Sequence, residues 1–187
     1  MAAAEPSIGL PAVFFDAHRE RLRAAAPLGP ILDLACGRGR HALAAAEMGL
    51  EVLAVDRNPE SLAVLEAAAP AGARLTTRVL DLETGTLPSL PEAPFGAVLV
   101  FRYLHRPLMP WIASQLAPGG VLLYETFTIH QRALGWGPSR SEFLLDPGEL
   151  PGLFPGLEVL AYEEGENADA KPAQTARLLA RRPDDPS

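Results

Sequence analysis

The stretch Asp33-Leu34-Ala35-Cys36-Gly37-Arg38-Gly39-Arg40-His41-Ala42 holds the densest chemistry in the chain. A short apolar run, Ile31–Ala35, enters it, and a helical pattern, His41–Met48, leaves it. An acid at a strand end, a glycine-rich turn and a helix start, in that order, make a crevice of the kind that binds ligands at the carboxyl ends of parallel strands. Gly37 and Gly39 let the backbone turn tightly and let a ligand come close to it. Asp56 closes the next apolar run, Glu51–Val55, where a carboxylate accepts hydrogen bonds from ribose hydroxyls. Asp81 follows a third run, Arg74–Leu80, where it is placed to accept from an adenine amino group while the Leu82 N–H donates to the ring. Together these residues describe a site for an adenosine-like ligand.

Two such ligands compete. Gly37-x-Gly39-x-x-Ala42 fits the dinucleotide fingerprint. Asp33 argues against a dinucleotide, because a carboxylate at the mouth of the first crossover repels a pyrophosphate held on the helix N-terminus. The same carboxylate attracts the cationic amino end of an amino acid, directly or through a water. S-adenosylmethionine is the ligand that joins adenosine to a cationic amino acid. On this reading the mouth of the first crossover is negative.

A second polar cluster, Phe101-Arg102-Tyr103-Leu104-His105-Arg106, follows the apolar run Phe95–Phe101 and is the expected wall of an acceptor site. His105 is the candidate base, since its unperturbed pKa lies near neutrality, with a surface or helix-capping histidine as the plainer reading. Arg102 and Arg106 are candidate anchors for a substrate carboxylate or phosphate, or else solvated ends. Tyr103 either packs on a cofactor or covers the sheet. Glu125, in Tyr124-Glu125-Thr126-Phe127, is the second catalytic candidate, binding an amine or accepting a proton, with a salt bridge to one of those arginines as its alternative. Cys36 reads as a small residue packed under the loop. His18, His41, His105 and His130 have no metal-ligand spacing, so no metal is expected.

Short apolar runs that alternate with helical patterns imply βαβ units and a mainly parallel sheet. Asn58 and Pro59 predict a helix start, with the helix running through Leu62 and Leu65 to about Ala69. Pro107–Leu116 reads as a helix, Pro118–Gly120 as a turn and Val121–Phe127 as the fifth strand. The last two runs, Leu157–Tyr162 and Thr175–Arg181, have no helix between them and are expected to form a hairpin that puts one antiparallel strand in the sheet. The predicted fold is α/β, a doubly wound, mainly parallel seven-stranded sheet with one antiparallel strand. Pro11–Ala26 predicts an extra helix over the top or edge. Between Ile129 and Leu153 glycine and proline obscure any period, and Gly135–Gly148 is a candidate lid.

The 187 residues, 48% hydrophobic and 21% charged, suit one globular domain: a helical segment 1–29, a core 30–182 and a tail 183–187. A net charge of −7 disfavours nucleic acid and anionic membranes as partners. A single cysteine excludes an internal disulfide and fits a reducing compartment. Met1–Pro6 carries an acid where a signal peptide has basic residues, and no apolar run approaches the ~18 residues of a membrane span. The expected setting is a cytoplasmic monomer or homodimer acting on a small molecule.

With these residues in place, the chain resembles the class I S-adenosylmethionine-dependent methyltransferases. The likeness rests on Asp33-Leu-Ala-Cys-Gly37-Arg-Gly39, Asp56, Asp81-Leu82 and Ala117-Pro-Gly-Gly120. The family's D-x-G-x-G-x-G pattern keeps its middle glycines, with Ala35 and Arg40 at the first and last. Cys36–Arg40, Arg78–Leu82, Pro147–Leu150, Tyr162-Glu-Glu and Ala176–Arg181 further resemble the tellurite-resistance-type branch. The resemblance implies a Rossmann-like fold and direct in-line methyl transfer. It implies a cofactor site of Asp33, Ala35, Cys36, Gly37, Gly39, Asp56, Arg57, Asp81, Leu82 and Phe101, with the acceptor near Arg102, Tyr103 and Arg106. The tellurite enzymes carry a His-Arg pair before the last strand. Here Gly165–Ala170 is acidic and would repel an oxyanion, so tellurite is not carried over. A nicotinamide-dependent oxidoreductase and a non-catalytic S-adenosylmethionine-binding module are the alternatives.

Overall fold

Seven strands, β1 (Ile31–Leu34), β2 (Val52–Asp56), β3 (Leu75–Val79), β4 (Phe95–Phe101), β5 (Leu116–Phe127), β6 (Glu158–Glu166) and β7 (Gln174–Arg181), build one sheet in a computed structural model that describes residues 8–185. Met1–Pro6 and the end of the tail lie outside the described residues. The order is β3-β2-β1-β4-β5-β7-β6. Strands β1 to β5 pair in parallel, and β7 lies antiparallel between β5 and β6. This is the predicted sheet, including the terminal hairpin. Strands β1 and β4 are buried along their whole length, which is why they read as unbroken apolar runs.

Period two divides the strand side chains between two cores. On one face Leu32, Leu34, Val98, Val100, Leu122 and Tyr124 pack with Met109 and Ile112 of α5 (Met109–Gln115) and Leu150 of α6 (Glu149–Gly152). On the other, Ile31, Ala97, Leu99, Val121 and Leu123 pack with Phe15 of α1 (Val13–Ala17), Leu22 of α2 (Arg19–Ala25), Ala45 of α3 (Arg40–Glu47) and Leu65 of α4 (Pro59–Ala68). Asp33 shares the parity of Ile31, so its side chain faces the α3 layer. Asn58 caps α4 as predicted, its side chain accepting from the N–H groups of Glu60 and Ser61 with Pro59 in the first turn.

Four elements differ from expectation. The N-terminal helix breaks at His18, and α2 packs on the sheet face against β4 and β5, where one helix over the top or edge was expected. Strand β6 runs on to Glu166, beyond the apolar stretch. It is the outer strand, and Glu158, Glu163, Glu164 and Glu166 suit an edge that must not pair with another chain. The Pro118–Gly120 turn lies inside β5: Leu116 pairs with Phe95 and Val121 with Ala97, so residues 117–120 bulge out. The opaque segment folds as 3-10 turns at Ile129–Leu134 and Ser141–Phe143, followed by α6.

Candidate active site

The loop between β1 and α3 is fixed by two carboxylates. Asp56 accepts from Gly37 N–H at 2.7 Å through one oxygen and from Asn58 N–H at 2.9 Å through the other. Asp33 accepts from Ala42 N–H at 2.9 Å and so satisfies a free donor in the first turn of α3. Gly39 has φ 73°, and a Cβ there would sit 2.4 Å from Leu65 Cδ2, so α3 and α4 approach only because residue 39 has no side chain. Gly37 has φ 56°, and a Cβ built on it meets nothing within 4 Å. Its backbone is therefore bare toward the cleft. Ala35 adopts φ 51°, a left-handed conformation costly for a residue with a Cβ.

Two clefts flank this loop. One, of about 280 Å³, is lined by Ala35, Asp56, Arg57, Asp81, Leu82 and Tyr103. The other, of about 360 Å³, is lined by Asp33, Cys36, Gly37, Gly39, Phe101 and Arg102. Ala35 and Arg102 belong to both. All ten residues expected to hold a cofactor therefore line one continuous pair of clefts. The donor set fits an adenosine joined to an amino acid: carboxylates at the ends of β1, β2 and β3, bare backbone at Gly37, and a Tyr103 hydroxyl that is buried without a hydrogen-bond partner.

Asp33 is 1% exposed, and burial raises its pKa to about 7, against the Ala42 N–H and Arg40, which lower it. The expected negative mouth is therefore corrected. Arg38, Arg40 and Arg102 line the same cleft, and Asp33 is a single buried acid inside a basic rim. Burial also pushes the Cys36 thiol up, in keeping with an inert packed residue. Phe101 stacks on His41 at 3.8 Å between centroids, and His41 Nε2 accepts from Ala12 N–H at 3.1 Å. Burial holds the His41 pKa well below its ordinary value, so the neutral ring ties the entry of α1 to α3.

A third cavity, of about 180 Å³, opens beyond Arg102 and Tyr103 and is walled by Glu83, Leu104, Phe127 and Phe143 among others. Arg102 has φ 59° and donates its N–H to the Glu125 carbonyl at 2.7 Å. Its guanidinium reaches Asp169 Oδ2 at 3.3 Å and lies 5.8 Å and 5.9 Å from the ring centres of Phe127 and Trp136. Asp169 also accepts from Val13 N–H at 2.9 Å and lies 4.0 Å from Arg40. The acid of the Gly165–Ala170 segment, expected to repel an oxyanion, is thus matched by two arginines and a helix start.

Three residues expected at the acceptor are placed elsewhere. Glu125 sits inside β5, paired with Arg177 of β7, and its side chain turns to the β6–β7 connection. Its Oε1 accepts from Asn167 at 2.7 Å and Thr175 at 3.1 Å, Oε2 is buried without a partner, and burial raises its pKa. It fastens the β6–β7 connection and lines none of the three cavities. Arg106 makes a bidentate pair with Glu149 and donates to the carbonyls of Glu142 and Leu144, clamping the segment that carries Phe143. His105 lines none of the three cavities, and its carbonyl starts the turn before α5.

Sequence reasoning missed Glu83, which lies just past Asp81-Leu82 and so had a usable signal. Phe143 and Pro138 lie in Gly135–Gly148, the segment named as a candidate lid, but neither was picked out as a residue. Among the described residues there is no cluster able to hold a metal ion.

Comparison with known proteins agrees with this geometry. Residues 31–120 match the family described as a methyltransferase domain. Over 125 residues the chain is 34% identical to an uncharacterized methyltransferase of Mycobacterium tuberculosis, the match covering 64% of this chain and 48% of the relative. The chain thus spans about half the length of the curated relatives it matches. Among solved structures, TehB from Haemophilus influenzae superposes with a TM-score of 0.68 at 22% identity, over 88% of this chain and 62% of its own. An S-adenosylmethionine-dependent methyltransferase from Mesorhizobium loti superposes with a TM-score of 0.66 at 24% identity, over 90% of this chain and 100% of its own. At these identities the structural likeness is one of fold.

Proposed function

Because residues 31–120 match the methyltransferase-domain family, we propose that the protein transfers a methyl group from S-adenosylmethionine to a small molecule by direct in-line displacement. The observation that carries this reading is the continuity of the three cavities through Arg102, with Ala35 shared by the first two and Tyr103 by the first and third. When bound, the cofactor supplies an electrophilic methyl group on a good leaving group. The chain's own task is then alignment, worth up to roughly 7–11 kcal/mol in favourable systems. Asp56 and Asp81 take the nucleoside polar groups. Asp33 and the bare backbone at Gly37 take the amino-acid end, and Gly39 keeps the helix close enough to close the loop. Tyr103 stands where the nucleoside cleft meets the acceptor cavity.

The same reading makes the protein a cytoplasmic monomer or homodimer without nucleic-acid or membrane partners. The charge of −7 supports it, and no helix among the described residues is long and apolar enough to cross a membrane. Thermal-shift titration tests the cofactor. S-adenosylhomocysteine is expected to raise the melting temperature in proportion to RT ln(1 + [L]/Kd), and NAD(H) to leave it unchanged. A shift with NAD(H) alone overturns the reading. Release of S-adenosylhomocysteine with a set of small acceptors separates an enzyme from a silent binding module.

A further inference from the structure

We propose that the methyl acceptor is a small monocarboxylic acid with a ring-sized apolar body. Arg102 takes its carboxylate, and the cavity between Tyr103, Leu104, Phe127 and Phe143 takes its body. This rests on the function proposed above and names its substrate class.

The first argument is a count of donors. A guanidinium carries five N–H donors in a planar fork. Among the described residues, the Arg102 side chain makes one hydrogen bond, to Asp169. Arg106, four positions on, spends its fork on Glu149 and two carbonyls. The free guanidinium donors at the acceptor cavity are therefore those of Arg102, in the geometry that grips a carboxylate with two bonds.

The second argument is charge. Asp169 is one carboxylate facing both Arg102 and Arg40, and Lys171 lies close by with its ammonium 3.8 Å from the Trp136 ring centre. This locally positive cluster sits in a chain of net charge −7. Cations already cover Phe127 and Trp136, so the aromatic wall is poorly suited to an ammonium ligand. Glu83 on the cavity rim opposes a dianion, which favours a monocarboxylate over a phosphate.

The third argument is position. Arg102 lines both cofactor clefts and the acceptor cavity, so an anion held on it lies where the three meet. Its left-handed backbone, φ 59°, is pinned by the bond to the Glu125 carbonyl, and such strain is retained where the surroundings impose it. The cavity measures about 180 Å³, and one of ~150 Å³ admits benzene in another protein.

The test is calorimetric titration of the full chain saturated with S-adenosylhomocysteine, using benzoate, its uncharged analogue benzamide, and acetate, which lacks the ring. Benzoate is expected to bind at least tenfold more tightly than either. Arg102→Gln is expected to erase the preference for benzoate over benzamide, and Arg102→Lys to keep part of it. Phe143→Ala, at a half-exposed position that tolerates truncation, is expected to weaken benzoate several-fold and leave acetate unchanged. Benzamide binding as well as benzoate, or benzoate affinity unaffected by Arg102→Gln, overturns the proposal. S-adenosylhomocysteine binding is measured first for every form. Its absence in the wild type sinks the methyltransferase reading, whereas its presence with no benzoate preference sinks the acceptor class alone.

Discussion

The two halves of the site are built on different physics. The half at the ends of β1, β2 and β3 is made of short-range sequence: glycines whose backbone angles are special and acids that satisfy nearby N–H groups. The half beyond β4 and β5 is assembled across long separations, from Glu83, Arg102, Phe127 and Phe143, and is held by Arg106 and Asp169. The first tolerates little change because each atom is set by backbone geometry. The second is a wall of side chains supported by clamps, and its shape is open to variation while the fold stays the same.

The sharpest way to break the first half is at Gly39. Gly39→Ala places a Cβ on Leu65 and forces a left-handed angle on a residue with a side chain. Overpacking and backbone strain together are expected to cost about 3 kcal/mol. Urea denaturation would show a lower midpoint at unchanged slope. An unchanged midpoint would mean that α3 and α4 are not in contact through this position.

Next in size is the clamp of the second half. Arg106→Ala removes the pair to Glu149 and the bonds to the Glu142 and Leu144 carbonyls. The groups are half-buried, so the loss is expected to be about 2 kcal/mol after allowing for solvent screening. Hydrogen exchange should quicken across residues 138–152, while S-adenosylhomocysteine affinity stays within about twofold because no nucleoside contact is touched. A parallel loss of cofactor affinity would show that the two halves are coupled.

That contrast also explains what was legible in the sequence. The parallel sheet and the terminal hairpin followed from apolar period and caps, and the loop residues that line the two clefts were picked out by glycine placement and acids at strand ends, all local signals. Glu125 was read as an acceptor residue because the partners that hold it, Asn167 and Thr175, come from the β6–β7 connection and β7, about forty to fifty residues along the chain. Arg106 was read as a substrate anchor because its partners lie in a segment without period. The sign of the crossover mouth was misjudged because Arg102 folds back beside Arg40, a contact no local rule predicts. Asp33 was singled out and does line the cleft, but its burial, and hence its raised pKa, was not visible.

Asp33 turns that burial into a measurable linkage. Its folded-state pKa of about 7 stands above the unfolded value of 3.8, so its contribution to stability is present at low pH and is lost as pH rises through 7. Binding a cationic amino group runs the other way, since it needs the ionised acid. Affinity for S-adenosylhomocysteine is expected to fall by up to about tenfold between pH 7 and pH 6. Calorimetry in buffers of different ionisation enthalpy should show proton release near neutrality, and Asp33→Asn should abolish both effects. His41 opposes the stability trend: its lowered pKa means the unfolded chain gains protons below about pH 6.5 and the fold loses stability there. The Asn variant therefore keeps the acid limb and loses the alkaline one. A pH-independent affinity in the wild type would place the ligand's amino group away from Asp33.

The smallest expected effect tests whether Ala35 belongs to the rigid half. Its φ of 51° costs about 1–2 kcal/mol for a residue with a Cβ. Glycine removes that strain but adds about 0.4–1 kcal/mol of unfolded-state freedom. Ala35→Gly is therefore expected to stabilise the fold by about 0.5–1 kcal/mol, read as a raised urea midpoint. Residue 35 also lines both of the clefts proposed for the nucleoside and the amino-acid end, and its Cβ is the part that glycine deletes. If that Cβ aligns the ligand, the stabilised variant should bind S-adenosylhomocysteine slightly less tightly, the opposite sign to its gain in stability. Gain in both would mean that the alanine is strain without a positioning role, and that this half of the site has room its glycines do not suggest.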